Sequence, residues 1–169
     1  IMGAPGESKY GWTREQLLPG LNRLRELGAK QFGLHAFLAS NTTDHSYYPK
    51  LAGILLALGK ELAPQCGLRF AFVNLSGGVG IPYQPDQPAA DILKIGAAVE
   101  QEYRQILGDP REAGVGIKTE LGRFMTGPQG WLVTRAVHEK KIYRDYIGVD
   151  ACAANLMRPV MYGAYHHIH

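Results

Sequence analysis

The run Val73-Asn74-Leu75-Ser76-Gly77-Gly78-Val79-Gly80-Ile81-Pro82-Tyr83 joins a strand-like apolar stretch to closely spaced glycines. Glycine takes φ > 0 freely and lets an anion approach the main chain, so successive N–H groups can converge on a phosphate as a nest. Alone, the run reads as a glycine-rich turn between strand and helix in preference to a ligand loop. Two other segments offer complementary chemistry: Ala39-Ser40-Asn41 carries a hydroxyl, and Glu120-Leu121-Gly122-Arg123 sets a carboxylate beside a guanidinium. A guanidinium fork makes charge-assisted hydrogen bonds to a phosphate, and a carboxylate suits a protonatable ring nitrogen. Taken singly, Ser40 is a turn or helix-cap residue, and Glu120 with Arg123 is a weak surface ion pair. The chemistry requires the three segments to meet.

Each segment follows a stretch with strand character. Residues 31–38, 69–75 and 116–120 read as strands. Between them, Tyr47 opens an apolar helix over 47–62, and an amphipathic helix over 89–107 is closed by Gly108-Asp109-Pro110. Ahead of them, Thr13 with Gln16 fits a capping box for a helix whose apolar face is Leu17, Leu18, Leu21, Leu24 and Leu27, with Gly28 as its stop. This alternation predicts a parallel α/β sheet, in which ligands gather at the carboxyl ends of strands. If the strands are neighbours in one barrel, Ser40, the glycines, Glu120 and Arg123 share a rim. Lys118 lies two residues before Glu120, on the same side of its strand, and reads as a barrel-layer or salt-bridging lysine. Beyond residue 120 the rhythm changes: 131–137 and 143–149 are β-rich and flank the charged segment His138-Glu139-Lys140-Lys141, which predicts an antiparallel pair with its turn there. A boundary near Pro128 divides an α/β part, residues 1–128, from the beginning of a β part, residues 129–169.

At 169 residues, 46% hydrophobic and 20% charged, the chain has the composition of a globular protein with one core. The formal charge is +3 and no basic run exceeds Lys140-Lys141, so neither nucleic acid nor a membrane surface is an expected partner. The longest apolar run, residues 51–58, is too short to span a bilayer, and the first residues lack signal-peptide character. Cys66 and Cys152 have no ligand spacing and read as reduced thiols, so a soluble, cytoplasmic protein is expected. His166, His167 and His169 do not form an expected metal site, since only His167 and His169 would share a strand face. No Walker A sequence or dinucleotide-binding glycine fingerprint follows any strand. The start at Ile1 and the stop at His169, directly after an apolar-aromatic segment, suggest an excerpt of a longer chain.

In register, four segments resemble the pyridoxal-phosphate decarboxylases of the alanine-racemase-like barrel fold (fold type III), most closely the diaminopimelate decarboxylase branch. Gly33-Leu34-His35-Ala36-Phe37-Leu38-Ala39-Ser40-Asn41 is similar to that family's Gly-Leu-His-Ser-His-Ile-Gly-Ser-Gln, and residues 76–83 to its Gly-Gly-Gly-Leu-Gly-Ile-Pro-Tyr. Residues 120–123 resemble its Glu-Pro-Gly-Arg, and Arg158-Pro159-Val160-Met161-Tyr162-Gly163-Ala164-Tyr165-His166 its Arg-Pro-Ala-Leu-Tyr-Gly-Ala-Tyr-His.

The resemblance implies the last three strands of an eight-stranded, TIM-like α/β barrel, then the opening of an antiparallel β domain. It implies pyridoxal 5'-phosphate as cofactor, with Ser40, Gly77, Gly78 and Arg123 on its phosphate side, Glu120 at the pyridine nitrogen, and Gly122 among the residues that bind it. Phe37 takes the place of a ring-stacking histidine, which keeps a face but loses a proton donor. Arg158 and Tyr162, with Arg123 assisting, would clasp a substrate carboxylate. Ser76 for glycine and Leu121 for proline mark a divergent branch. The implied reaction takes carbon dioxide from meso-diaminopimelate to give lysine, in a homodimer with active sites across the interface. The cofactor-bearing lysine would precede Ile1 and an acid-base cysteine would follow His169, so the segment alone is expected to be inactive. Decarboxylases of ornithine, arginine or carboxynorspermidine, a non-catalytic pyridoxal-phosphate-binding or regulatory homologue, and a sugar-phosphate-binding barrel are the alternatives.

Overall fold

The structure, a computed structural model, describes Gly6 and residues 8–169. The first helix, α1 (Arg14–Glu26), begins where the capping box places it: the Thr13 N–H donates to Gln16 Oε1 at 2.9 Å. Gly28, at φ 100°, turns the chain out of the helix. Strand β1 (Gln31–His35) follows, then α2 (Tyr47–Cys66) and β2 (Arg69–Asn74). Helices α3 (Ile92–Leu107) and α4 (Pro110–Ala113) lead to β3 (Gly116–Lys118) and α5 (Gly122–Thr126). A hairpin of β4 (Ala136–Lys141) and β5 (Asp145–Val149) and the short helix α6 (Arg158–Tyr162) complete the chain.

The sheet β1-β2-β3 is wholly parallel, as the alternation of elements predicts. Side chains alternate across it, with an irregularity at Ala71 that brings Phe70 and Val73 to one face; Phe32, Leu34, Phe70 and Val73 are buried, while Gln31 and His35 face the other way and are exposed. Helix α2 lays Leu51, Ala52, Leu55, Leu56 and Leu62 on that surface, and α3 adds Ile95, Val99 and Tyr103 to the same core. Each fully buried leucine or valine contributes about 1.5–3 kcal/mol. Gly59 is what allows α2 to approach, because a Cβ there would overlap the Phe70 ring. On the opposite face Phe72 lies over Gly33 and the Lys118 ammonium sits 3.9 Å from the centre of the Phe72 ring. The lysine is thus a layer residue held by a cation–π contact.

Sequence and structure differ at element ends and in the hairpin. The three strands stop at His35, Asn74 and Lys118, short of the apolar runs that predict them, because the following residues leave the ladder for the rim. Helix α2 runs on to Cys66 and stops at Gly67, which takes φ 67°. Helix α3 starts at Ile92 rather than Ala89, since Asp91 caps it by accepting the N–H groups of Leu93 and Lys94 at 3.1 and 3.0 Å. The turn expected at 138–141 is a correction: His138, Glu139, Lys140 and Lys141 are paired within β4, opposite Gly148, Ile147, Tyr146 and Asp145. The chain reverses instead over 142–144, where the Ile142 N–H donates to the Arg144 carbonyl at 3.2 Å. All of β4 is exposed, so a charged side chain incurs no burial cost there and composition does not reveal the turn. Residues 163–169 form no strand, yet the His167 and His169 rings meet edge to face at 4.6 Å. Among the described residues no helix is long and apolar enough to cross a membrane, and no group of three His, Cys, Asp or Glu side chains could hold a metal ion.

Candidate functional site

The carboxyl ends of the three strands are tied to one another by their loops. Thr42 donates its N–H to the Gly78 carbonyl at 2.8 Å and accepts the Gly80 N–H at 2.7 Å, which bridges the loop after β1 to the loop after β2. Asn41, itself at φ 53°, accepts the Ile81 N–H at 3.1 Å on Oδ1. On the other side the Glu120 N–H donates to the Ser76 carbonyl at 2.8 Å. A Cβ at Gly77 would run into the Glu120 carbonyl, and one at Gly78, where φ is 95°, into that of Ala39. These glycines therefore serve first to let three loops pack edge to edge, and by doing so they leave bare backbone facing outward.

Below the loops, Tyr48 of α2 is 2% exposed and donates its hydroxyl to the Gly77 carbonyl at 3.2 Å. Burial, with a smaller contribution from neighbouring Tyr47, pushes its pKa up to about 12. A raised folded-state pKa gives stability that is fully present below about pH 10 and is lost as the pH rises through 12, where the folded form also ionises. Urea midpoints followed across that interval, with tyrosinate absorbance, are expected to fall in the wild type; in Tyr48→Phe this part of the fall disappears. An equal fall in both would assign it to other groups.

The rim encloses a cleft of about 370 Å³, lined by His35, Phe37, Ser40, Asn41, Ser76, Gly77, Gly78, Glu120, Gly122 and Arg123. Every residue that the sequence resemblance assigns to a cofactor, namely Phe37, Ser40, Gly77, Gly78, Glu120, Gly122 and Arg123, lies on that lining. Ser76, at φ 58° and 4% exposed, forms the floor of the loop. The lining combines a hydroxyl, glycine backbone, a guanidinium, a carboxylate and an aromatic side chain. Such a set suits a planar ring with an anionic tail and a protonatable nitrogen.

Arg158 and Tyr162 are not on the cleft lining. The Arg158 guanidinium stacks on Tyr83, 4.6 Å from the ring centre, while that of Arg123 lies 6.0 Å from the same centre. Arg158 Nη1 also lies 3.0 Å from His166 Nε2, and the Tyr83 and His166 rings meet edge to face at 5.4 Å. Tyr83 thus links the C-terminal segment to the rim, a role its place at the end of the glycine run does not reveal. Tyr162 is 73% exposed. Sequence reasoning also passed over His35, Asn41 and Asn74; only the preference of Asn for positive φ gave a local signal, at Asn41.

Residues 2–127 match the family described as pyridoxal-dependent decarboxylase, pyridoxal binding domain. The chain belongs to this family. It is 33% identical over 165 residues to diaminopimelate decarboxylase of Methanothermobacter thermautotrophicus, covering 95% of this chain and 38% of the relative. Over 169 residues it is 31% identical to Protein TabA of Pseudomonas amygdali pv. tabaci, covering 99% of this chain and 39% of that protein. The crystal structure of diaminopimelate decarboxylase from M. jannaschii in co-complex with L-lysine superposes with a TM-score of 0.77 at 25% identity, over 95% of this chain and 37% of that one. The chain spans less than two fifths of the length of these relatives. Its fold is that of this decarboxylase family: α/β, part of a TIM-like barrel followed by an antiparallel β unit. Pyridoxal phosphate is the family's cofactor, as the four motifs imply.

Proposed function

We propose that the parent protein is a pyridoxal-phosphate-dependent carboxy-lyase that converts meso-diaminopimelate to lysine, and that this chain supplies the phosphate-side and ring-side walls of its active site. The observation that supports this most is the meeting of Ser40, Gly77, Gly78, Glu120 and Arg123 on one cleft. Residues 1–128 belong to the cofactor-binding barrel and 129–169 open the β domain, which in a homodimer helps close the site of a partner subunit.

Pyridoxal phosphate, when bound, supplies an electron sink for the pair left as carbon dioxide departs. The chain's own residues would hold and tune it. Ser40, the backbone of Gly77 and Gly78, and Arg123 would hold the phosphate through neutral and charge-assisted hydrogen bonds. Glu120 would keep a proton on the pyridine nitrogen, because an adjacent carboxylate favours the cationic form of that nitrogen. Phe37 would cover the ring and exclude water without offering a proton. Arg158, braced by Tyr83 and His166, would bind a substrate carboxylate together with Arg123, with Tyr162 beside it.

The full-length protein loaded with pyridoxal phosphate is expected to release carbon dioxide from meso-diaminopimelate with equimolar lysine. Release from ornithine, arginine or carboxynorspermidine instead would overturn the substrate assignment. Tight cofactor binding with no release from any of them would make the parent a non-catalytic binding protein.

A further inference from the structure

We infer that Asn74 is the positioning residue that aims the Glu120 carboxylate into the cleft and locks it to the glycine loop; this rests on the reading of the cleft as a pyridoxal phosphate site. Asn74 is the last residue of β2, at the end of an otherwise apolar run. Its Oδ1 accepts the Ser76 N–H at 2.9 Å. That bond fixes the rotation of the amide, since an N–H can be met only by the carbonyl end, so Nδ2 must point the other way. There it donates to Glu120 Oε1 at 2.6 Å.

Ser76 closes the circuit, because its carbonyl accepts the Glu120 N–H at 2.8 Å. One amide thus organises both ends of the site. The torsion of a free carboxylate is broad, and a single donor on Oε1 narrows it while leaving Oε2 for a ligand. No other small side chain performs both tasks. Aspartate keeps an acceptor for Ser76 but has no donor for Glu120 and sets a like charge against it, and serine is too short to reach Glu120.

The test is a double-mutant cycle in the full-length protein with pyridoxal phosphate alone as probe, read by absorbance titration for affinity and by the pH dependence of the bound spectrum. Asn74→Asp is expected to weaken binding by about tenfold and to shift the spectral pH profile. Ser76 keeps its partner in this variant, so any change in cofactor-free thermal stability reports the like charge set against Glu120 and should vanish in the Glu120→Gln background. In a Glu120→Gln background the same change should alter affinity less than about twofold, since the group it acts through is neutral. Should Asn74→Asp fail to fold, Asn74→Ser carries the same cycle. Effects that simply add, or an unmoved spectrum and affinity, overturn the role of Asn74 and leave the site intact. A wild-type protein that takes up no cofactor removes the reading of the cleft and this role with it.

Discussion

Glu120→Ala in the full-length protein is expected to lower turnover on the preferred amino acid by about 10³-fold while leaving measurable affinity for pyridoxal phosphate. The two halves of this result have separate sources. On the proposed reading, affinity for the anionic tail would reside in Ser40, the glycine backbone and Arg123, which share the cleft lining with Glu120. Turnover depends on the ring's capacity to accept electrons, which a neutral neighbour to the pyridine nitrogen no longer supports. Glu120→Gln, which keeps shape and hydrogen-bonding reach, should lose a similar amount, because charge and not volume is the requirement. The decisive measurement is kcat at saturating cofactor alongside an absorbance titration. Undiminished turnover in either variant removes the role given to this carboxylate.

The second large effect is structural. Gly78→Ala should destabilise the protein by about 2–3 kcal/mol, seen as a lower urea midpoint at unchanged slope, and should abolish most cofactor binding. At φ 95° an alanine is strained whatever the space, and the added methyl would meet the Ala39 carbonyl. The loop cannot retreat, because Thr42 holds Gly78 and Gly80 through two backbone hydrogen bonds of 2.8 and 2.7 Å. Gly122→Ala provides the contrast: a Cβ there meets nothing within 4 Å, so stability should change by less than about 0.5 kcal/mol. Equal losses at both positions would show that the cost comes from removing any rim glycine and not from the clamp between loops.

Asp91 and Gly67 set helix ends that the sequence pattern places instead at Ala89 and Leu62. The apolar periodicity of α1, α2 and α3, the cap at Thr13 and the stop at Gly28 are local properties. They are legible because a helix is decided by residues within a few positions of one another. The parallel order of β1, β2 and β3 follows from the alternation of elements, since strands joined through helices align in parallel. The hairpin turn escapes such reading. With every residue of β4 exposed, no burial pattern distinguishes paired from turning residues, and the charges that suggest a turn at 138–141 are tolerated in the ladder.

By itself the sequence determined the chemistry available: glycines able to take positive φ, a hydroxyl, a carboxylate, a guanidinium and an aromatic face, in the order the decarboxylase family uses. Tertiary structure alone decided which of them meet. The link from Asn74 to Glu120 spans 46 positions and that from Tyr48 to Gly77 spans 29, while Tyr83 contacts Arg158 through a ring face. Such contacts depend on strand register and loop path, set by the whole packed core, so no local spacing encodes them.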